Sequence, residues 1–433
     1  MRKKYLYEFI LCGVVAGSFS SVAHAQSAIP AQNVTQESFI QSFLTRKAMT
    51  GDWNGGRKKL ENIGLIFKGA YDGNFADAFS GGKRHGNGYA QQLSIGATAD
   101  LGKLFGLDGG LFNISFNQRQ GRSVSSDFIG NKLAVQEAYG AGETLRLSEL
   151  SYEQSFAKNV VNTKIGFYPM GNEFAVIPDG CDFQNVGFCA HPQNLPGSSG
   201  WSDSPTAKWG GRIKISPTPA FYIETGAYDV NPGYYDKSNG LKISMSGSTG
   251  ALIPLELGAR VDFGSLPGTY KAGAYYDTSD AESVTNASDT VSGRYGFYAI
   301  ANQMLVSFGS PTRGLDAVAM VSYSDPRTAL FQGSVLGGLI AQGPFAERPD
   351  DFIDVGYVRA ILNKRAVNAK EAANTTLYNL STGEGVLEFG YGLQATPWLL
   401  IHPNMQYVMD PGTFSYSHIP NAWVFGLQVK ATL

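Results

Sequence analysis

Trp423-Val-Phe-Gly-Leu-Gln-Val-Lys-Ala-Thr-Leu433 puts Trp423, Phe425, Leu427, Val429, Ala431 and Leu433 on one side and Val424, Gly426, Gln428, Lys430 and Thr432 on the other. A period of two marks a strand whose two faces meet different surroundings. The pattern recurs upstream. Phe112, Ile114 and Phe116 alternate with Asn113, Ser115 and Asn117, and Leu255, Leu257, Ala259, Val261 and Phe263 alternate with Glu256, Gly258, Arg260 and Asp262. Leu387, Phe389, Tyr391 and Leu393 stand opposite Glu388, Gly390, Gly392 and Gln394. Every backbone donor and acceptor in a bilayer must pair internally, so a chain built of such strands is expected to close into an outer-membrane antiparallel β-barrel. Its fold class is all-β.

The start of the chain supports export. Arg2, Lys3 and Lys4 precede an apolar stretch around Phe9 to Phe19, which ends at Ala23-His24-Ala25 before Gln26. That order is a secretory signal peptide over residues 1–25, with a retained membrane anchor as its rival. Removing it takes away Arg2, Lys3, Lys4 and Glu8, which leaves 31 basic against 35 acidic residues from totals of 34 and 36. The resulting charge near −4 gives no basic excess for nucleic acid. Glycine (53 residues), phenylalanine (26) and tyrosine (22) are abundant, which suits a wall that needs apolar side chains on one face only. Cys12 leaves with the signal, and Phe9-Ile10-Leu11 lacks the small residue of a lipidation site. The remaining pair, Cys181 and Cys189, is expected to form a disulfide in an oxidising compartment. A metal site there has only His191 nearby, so none is expected.

Residues 26–50 read as a polar periplasmic segment with one short helix around Phe39, Ile40, Phe43 and Leu44, and 51–433 as the barrel. Turn-rich stretches are expected at Asp72–Gly88, Asp179–Pro205, Asn231–Gly240, Asp277–Asp289 and Asn363–Thr382. Allowing roughly 24 residues for each strand with its connection predicts 16 strands, or 18, and an aqueous channel in place of a packed core.

Charge on the lipid face near midplane costs about 2 to 4 kcal/mol, so parity sends Arg119, Glu149, Lys164, Arg212, Lys214, Glu224, Glu256, Arg260, Lys271, Glu388 and Lys430 to the water side. Each belongs either to the lumen or to a rim. Arg122 follows Arg119 as a further lining candidate. Trp201 and Trp209, which flank Asp203 and precede Arg212, are either interfacial and loop-packing residues or flat platforms for a sugar ring. No zinc-protease or nucleotide-binding sequence occurs, and carboxyls such as Asp350-Asp351 have no spacing that places them about a glycosidic bond. The mature histidines His85, His191, His402 and His418 each lie near proline or glycine and read as loop or rim residues. No enzyme activity and no cofactor are expected.

Several stretches go beyond pattern. Gly51-Asp52-Trp53-Asn54-Gly55-Gly56-Arg57-Lys58-Lys59-Leu60 with Ile63-Gly64 resembles the GDW-x-G-x-R-x-x-L-x-x-x-G opening of the carbohydrate-selective porins, the OprB family. Gly102 to Gly110, Cys181-Asp182-Phe183 with Cys189, Trp209-Gly210-Gly211-Arg212 and Tyr228-Asp229-Val230-Asn231-Pro232 are similar to that family in order, as are Trp398 to Tyr407, Asp410-Pro411-Gly412 and Asn421-Ala422. The resemblance implies a 16-stranded barrel in the outer membrane of a Gram-negative bacterium, whose inward loops narrow a channel for monosaccharides such as glucose. It implies passive diffusion, with outer-membrane lipid and the barrel assembly machinery as partners, as a monomer or homotrimer. Arg212 lies inside a family-like motif and is the foremost lining candidate. The alternatives are a porin for sugar acids, polyols or other small solutes, or an exported carbohydrate-binding protein. Leu433 is a departure, since such barrels usually finish on Phe.

Overall fold

The computed structural model describes residues 36–374, 377 and 380–433. The signal peptide expected over residues 1–25 lies outside the described residues. The larger of two units is Phe43–Leu433, and α1 (Gln36–Leu44) is the short helix anticipated from Phe39, Ile40, Phe43 and Leu44. Within the larger unit, α2 (Gly56–Ile63) leads directly into the wall.

The wall begins with β1 (Leu65–Ser80), β2 (Gly86–Asp100), β3 (Gly110–Gly121), β4 (Leu145–Phe156), β5 (Val161–Tyr168), β6 (Lys208–Thr218), β7 (Phe221–Val230) and β8 (Gly250–Phe263). It continues with β9 (Leu266–Glu282), β10 (Thr290–Ser310), β11 (Arg313–Ser324), β12 (Phe331–Gln342), β13 (Phe352–Leu362), β14 (Gly383–Thr396), β15 (Leu399–Met409) and β16 (Ala422–Thr432). Each strand pairs with its sequence neighbours, and β1 pairs with β16, so sixteen antiparallel strands close the barrel. Closure leaves no edge strand. The closing strand behaves as its alternation predicts: Trp423 and Phe425 are exposed on the outside, while Val424 and Gln428 are fully buried within. Among the described residues, no helix is long and apolar enough to cross a membrane. The strands do the crossing.

Five connections at one end are short: 157–160, 219–220, 264–265, 311–312 and 397–398. Longer ones stand at the other end, and 122–144 and 169–207 fold back into the lumen. There the structure departs from the expected open channel. Apolar residues of these two loops, among them Val124, Leu133, Val135, Phe174, Phe183, Phe188 and Trp201, form one buried cluster with inward wall residues such as Tyr228, Tyr275, Tyr298, Val358 and Val386. Much of the barrel is therefore packed, and solvent keeps the remainder. Gly356 makes room for this: a Cβ there would stand 2.6 Å from Phe188 and 2.9 Å from Phe183.

Packing also explains two misplaced turns. Asp72–Gly88 is mostly strand, because β1 runs to Ser80 and β2 starts at Gly86. Its inward residues Asn74, Ala76 and Ala78 are small because loop 122–144 lies on them, and small polar residues imitate a turn. Asn74 Oδ1 accepts from the Ala138 N–H at 2.7 Å, and Gln136 Nε2 donates to the Asn74 carbonyl at 2.9 Å. Asp277 to Glu282 likewise belong to β9. Asn363–Thr382 contains a helix over Lys364–Ala373, capped by the Asn363 side chain, which accepts from the Arg365 N–H at 2.9 Å.

Loops inside a lumen bring backbone N–H groups out of water, and each buried donor needs an acceptor. Wall carboxylates provide them. Glu384 accepts from Lys132 N–H at 2.7 Å and Leu133 N–H at 2.8 Å, while Glu388, on the same face of the same strand, accepts from Gln184 N–H at 2.7 Å and Asn185 N–H at 3.0 Å. Glu256 on β8 takes the Ala175 N–H at 2.7 Å, and Asp277 on β9 takes that of Gly200 at 2.7 Å. Glu388→Ala should strand two buried donors and destabilise the seat of loop 169–207 by about 2 to 5 kcal/mol. Limited proteolysis of the folded variant in detergent should then cut within 169–207. A loop as resistant as in the parent protein would show that Glu388 is not its anchor.

Candidate functional site: the charged lumen beside the loops

Strand register turns scattered charges into rows. Glu153 on β4 pairs with Lys164 on β5, which pairs with Arg212 on β6. One step away, Asn162, Lys214, Glu224 and Glu256 stand side by side across β5 to β8. Inward side chains on neighbouring strands lie within reach of each other, so opposite charges meet without help from a loop.

The loop completes the rows. Glu173, which follows the short 3-10 turn Met170–Asn172, reaches Lys164 Nζ at 2.7 Å with Oε1 and Arg212 Nε at 2.8 Å with Oε2. Lys164 also meets Glu149 at 2.9 Å, and Arg212 meets Asn162 Oδ1 at 2.5 Å and Glu153 at 3.7 Å. Lys214 stands 3.6 Å from Glu224 and 3.6 Å above the Tyr222 ring. Glu256 receives the hydroxyls of Tyr222 at 2.6 Å and Tyr298 at 2.8 Å. Burial alone would raise the Glu173 carboxyl, but Lys164 and Arg212 hold it below the usual carboxylate range.

A second cluster lies where both loops meet β16. Lys430 Nζ donates to the Cys181 carbonyl at 2.6 Å and pairs with Glu137 at 3.3 Å and Asp72 at 3.7 Å. Gln428 donates to Glu137 at 2.9 Å, and Cys181 is joined to Cys189 by a disulfide. Arg119 on β3 donates to Gln92 Oε1 at 2.7 Å and to the Tyr139 carbonyl at 3.2 Å, with Glu137, Asp72 and Asp203 as the surrounding acids. In the loop itself, buried His191 stands 3.1 Å from Asp203.

Of the residues singled out by sequence, Glu149, Lys164, Arg212, Lys214, Glu224 and Glu256 come together on the inner wall, and Arg119 stands in the second cluster. Arg260 also faces inward but sits exposed near the short-turn end of β8. Arg122 stands at the mouth, 53% exposed, paired with Asp127 at 2.6 Å and lying over the Phe128 ring. Neither tryptophan is open to a solute. Trp201 is fully buried, edge-on to Tyr275, Tyr298 and His191, because the loop that carries it is itself the packed core. Trp209 has outward parity on β6, packs edge-on against Phe167 and donates to the Ile243 carbonyl at 2.6 Å. Sequence reading missed Glu173 and Glu137, since parity says nothing of loop residues. Glu153 and Asn162 were within its reach, being cross-strand neighbours of Lys164 and Lys214.

A model described as "Carbohydrate-selective porin, OprB family" matches residues 84–433. The chain belongs to this family. Porin B of Pseudomonas aeruginosa is 33% identical over 417 residues, 89% of this chain and 91% of its own. The putative porin QuiX of Acinetobacter baylyi is 29% identical over 411 residues, 89% and 93% of the two chains. The structure of Pseudomonas putida OprB at high pH is 31% identical, with a TM-score of 0.84 over 90% of this chain and 99% of that one. This OprB-family barrel is an outer-membrane porin through which small solutes diffuse.

One group of this porin titrates in an accessible range. Burial, with Asp179 adding to it, pushes the Asp182 carboxyl up to about 6, and Gln342 donates to it at 3.0 Å. A carboxyl raised in the folded state contributes stability that is whole at low pH and is lost as pH rises through the folded value. Asp182→Asn mimics the protonated form, so it should raise the unfolding midpoint at pH 7.5 and leave it unmoved near pH 4. Thermal unfolding in detergent at both pH values measures this, and equal shifts at the two would refute it.

Proposed function

We propose that this porin takes up small neutral carbohydrates of glucose size by passive diffusion down their gradient. The observation that carries the reading is the pairing of lumenal charge. Lys164, Arg212, Lys214 and Lys430 all stand within ion-pair distance of carboxylates, so this part of the wall presents close-set donors and acceptors and leaves none of these four cations free to draw an anion. A sugar moving along such a wall trades each hydrogen bond to water for one to Asn, Glu, Lys or Arg. A neutral solute needs no free cation on the wall, whereas an anion finds these four already answered by carboxylates.

Binding along the way has to be shallow. A millimolar site corresponds to about −4 kcal/mol, and a much deeper well would hold the sugar in the channel. Trp201 is buried and Trp209 faces outward, so neither adds an indole platform to the polar contacts of the lumen. Membership of a family described as carbohydrate-selective supports the same class of solute.

Liposomes carrying the pure protein provide the test. Swelling rates should fall from glucose to an uncharged disaccharide, and gluconate should enter more slowly than glucose although the two are similar in size. Equal rates for glucose and gluconate would remove the preference for neutral sugars.

A further inference from the structure

We infer that Glu173 is the residue that sets this porin against sugar acids, by adding from the loop side of the channel a surplus negative charge to the balanced wall cluster of Lys164, Arg212, Glu149 and Glu153. The inference rests on the carbohydrate reading above and deepens it. Three carboxylates surround the two cations. Glu149 reaches only Lys164, at 2.9 Å, and Glu153 reaches only Arg212, at 3.7 Å. Glu173 alone among the described residues spans both, with one oxygen on each at 2.7 and 2.8 Å.

The groups also face open lumen. Side-chain exposure is 14% for Glu173, 21% for Glu149 and 24% for Glu153, against 10% for Lys164 and 7% for Arg212, so the carboxylates are the part of the cluster that solvent reaches, and bulk water does not fully screen them. With all three acids ionised, the cluster carries one surplus negative charge. Lys164 and Arg212 hold the Glu173 carboxyl below its ordinary range, so Glu173 stays ionised in mildly acid conditions.

The origin of Glu173 gives the device its meaning. The wall by itself supplies Lys164, Arg212, Glu149 and Glu153, two charges of each sign. The folded-in loop then tips the balance to negative. The residue is adjustable without touching a strand, since its neighbours Asn172 and Phe174 are not part of the ladder.

Single channels in planar bilayers test this with Glu173→Gln, which removes the charge and keeps the shape, and Glu173→Lys, which reverses it. In a potassium chloride gradient the reversal potential should move toward anion preference in that order. The gluconate-to-glucose rate ratio in liposomes should rise about threefold for Glu173→Gln, the factor for one charge acting across roughly 6 Å of water-like surroundings. Asp127→Asn makes the same charge change at the exposed rim and should shift the potential far less. If the loop had merely lost its seat, disaccharide would gain on glucose, and this would overturn the assignment. An unmoved reversal potential in both Glu173 variants would overturn it as well. Should Glu173→Gln not assemble, Glu173→Ser removes the same charge and carries the same two outcomes. Wild-type protein that fails to distinguish glucose from gluconate would defeat the sugar reading, while the ion measurement would still judge Glu173.

Discussion

Buried backbone N–H groups meeting wall carboxylates are the constraint on which the channel depends. Closing sixteen strands satisfies the wall itself. It does nothing for a loop that turns inward, whose peptide groups leave water without joining a sheet. Glu384, Glu388, Glu256 and Asp277 supply acceptors at those places, and the loops can then bury Phe174, Phe183, Phe188 and Trp201. Apolar packing brings the area, and the carboxylates decide where it is spent. Leaving even one such donor unmatched would oppose the packing by an amount comparable to burying a large apolar side chain, about 1 to 3 kcal/mol.

The packed loops also explain the electrostatics of what remains open. Where they reach the inner wall they meet Lys164 on β5 and Lys430 on β16. Cations there are answered twice, from the neighbouring strand and from a loop. A barrel wall with a strict two-residue period can place like and unlike charges only at fixed intervals. A loop has no such period, so it can put an oxygen where the wall leaves a gap.

The barrel was legible because its outer face answers to lipid, one uniform solvent. Trp423, Phe425 and their counterparts had to be apolar at every second position, and that signal survives from residue to residue. The inner face answers to several surroundings in turn. Asn74, Ala76 and Ala78 look like turn residues because a loop presses on them, and Asp277 looks like a loop acid although it sits in β9, bonded to Gly200 and Arg294. Parity placed Lys164, Arg212, Lys214, Glu224 and Glu256 on the water side. It could not distinguish Glu256, held by two tyrosines and a peptide N–H, from Arg260, exposed near the end of the same strand. Trp201 was the hardest to read. A tryptophan among glycine, serine and proline has the composition of a mouth, and only three-dimensional packing shows that it closes a core.

Glu384 and Glu388 lie on one strand, and each receives a different loop. Gln184 of one loop further donates to the Val135 carbonyl of the other at 3.0 Å, and Asn185 to that of Leu133 at 3.2 Å. The two loops are thus a single mechanical body with a common footing on β14. The bore of this channel is a joint property of residues 122–144 and 169–207, so a transplant of either loop alone from a relative would meet a mismatched partner. Variation in pore width across such proteins would then be inherited in paired blocks, with the footing on β14 as the hinge between one calibre and the next.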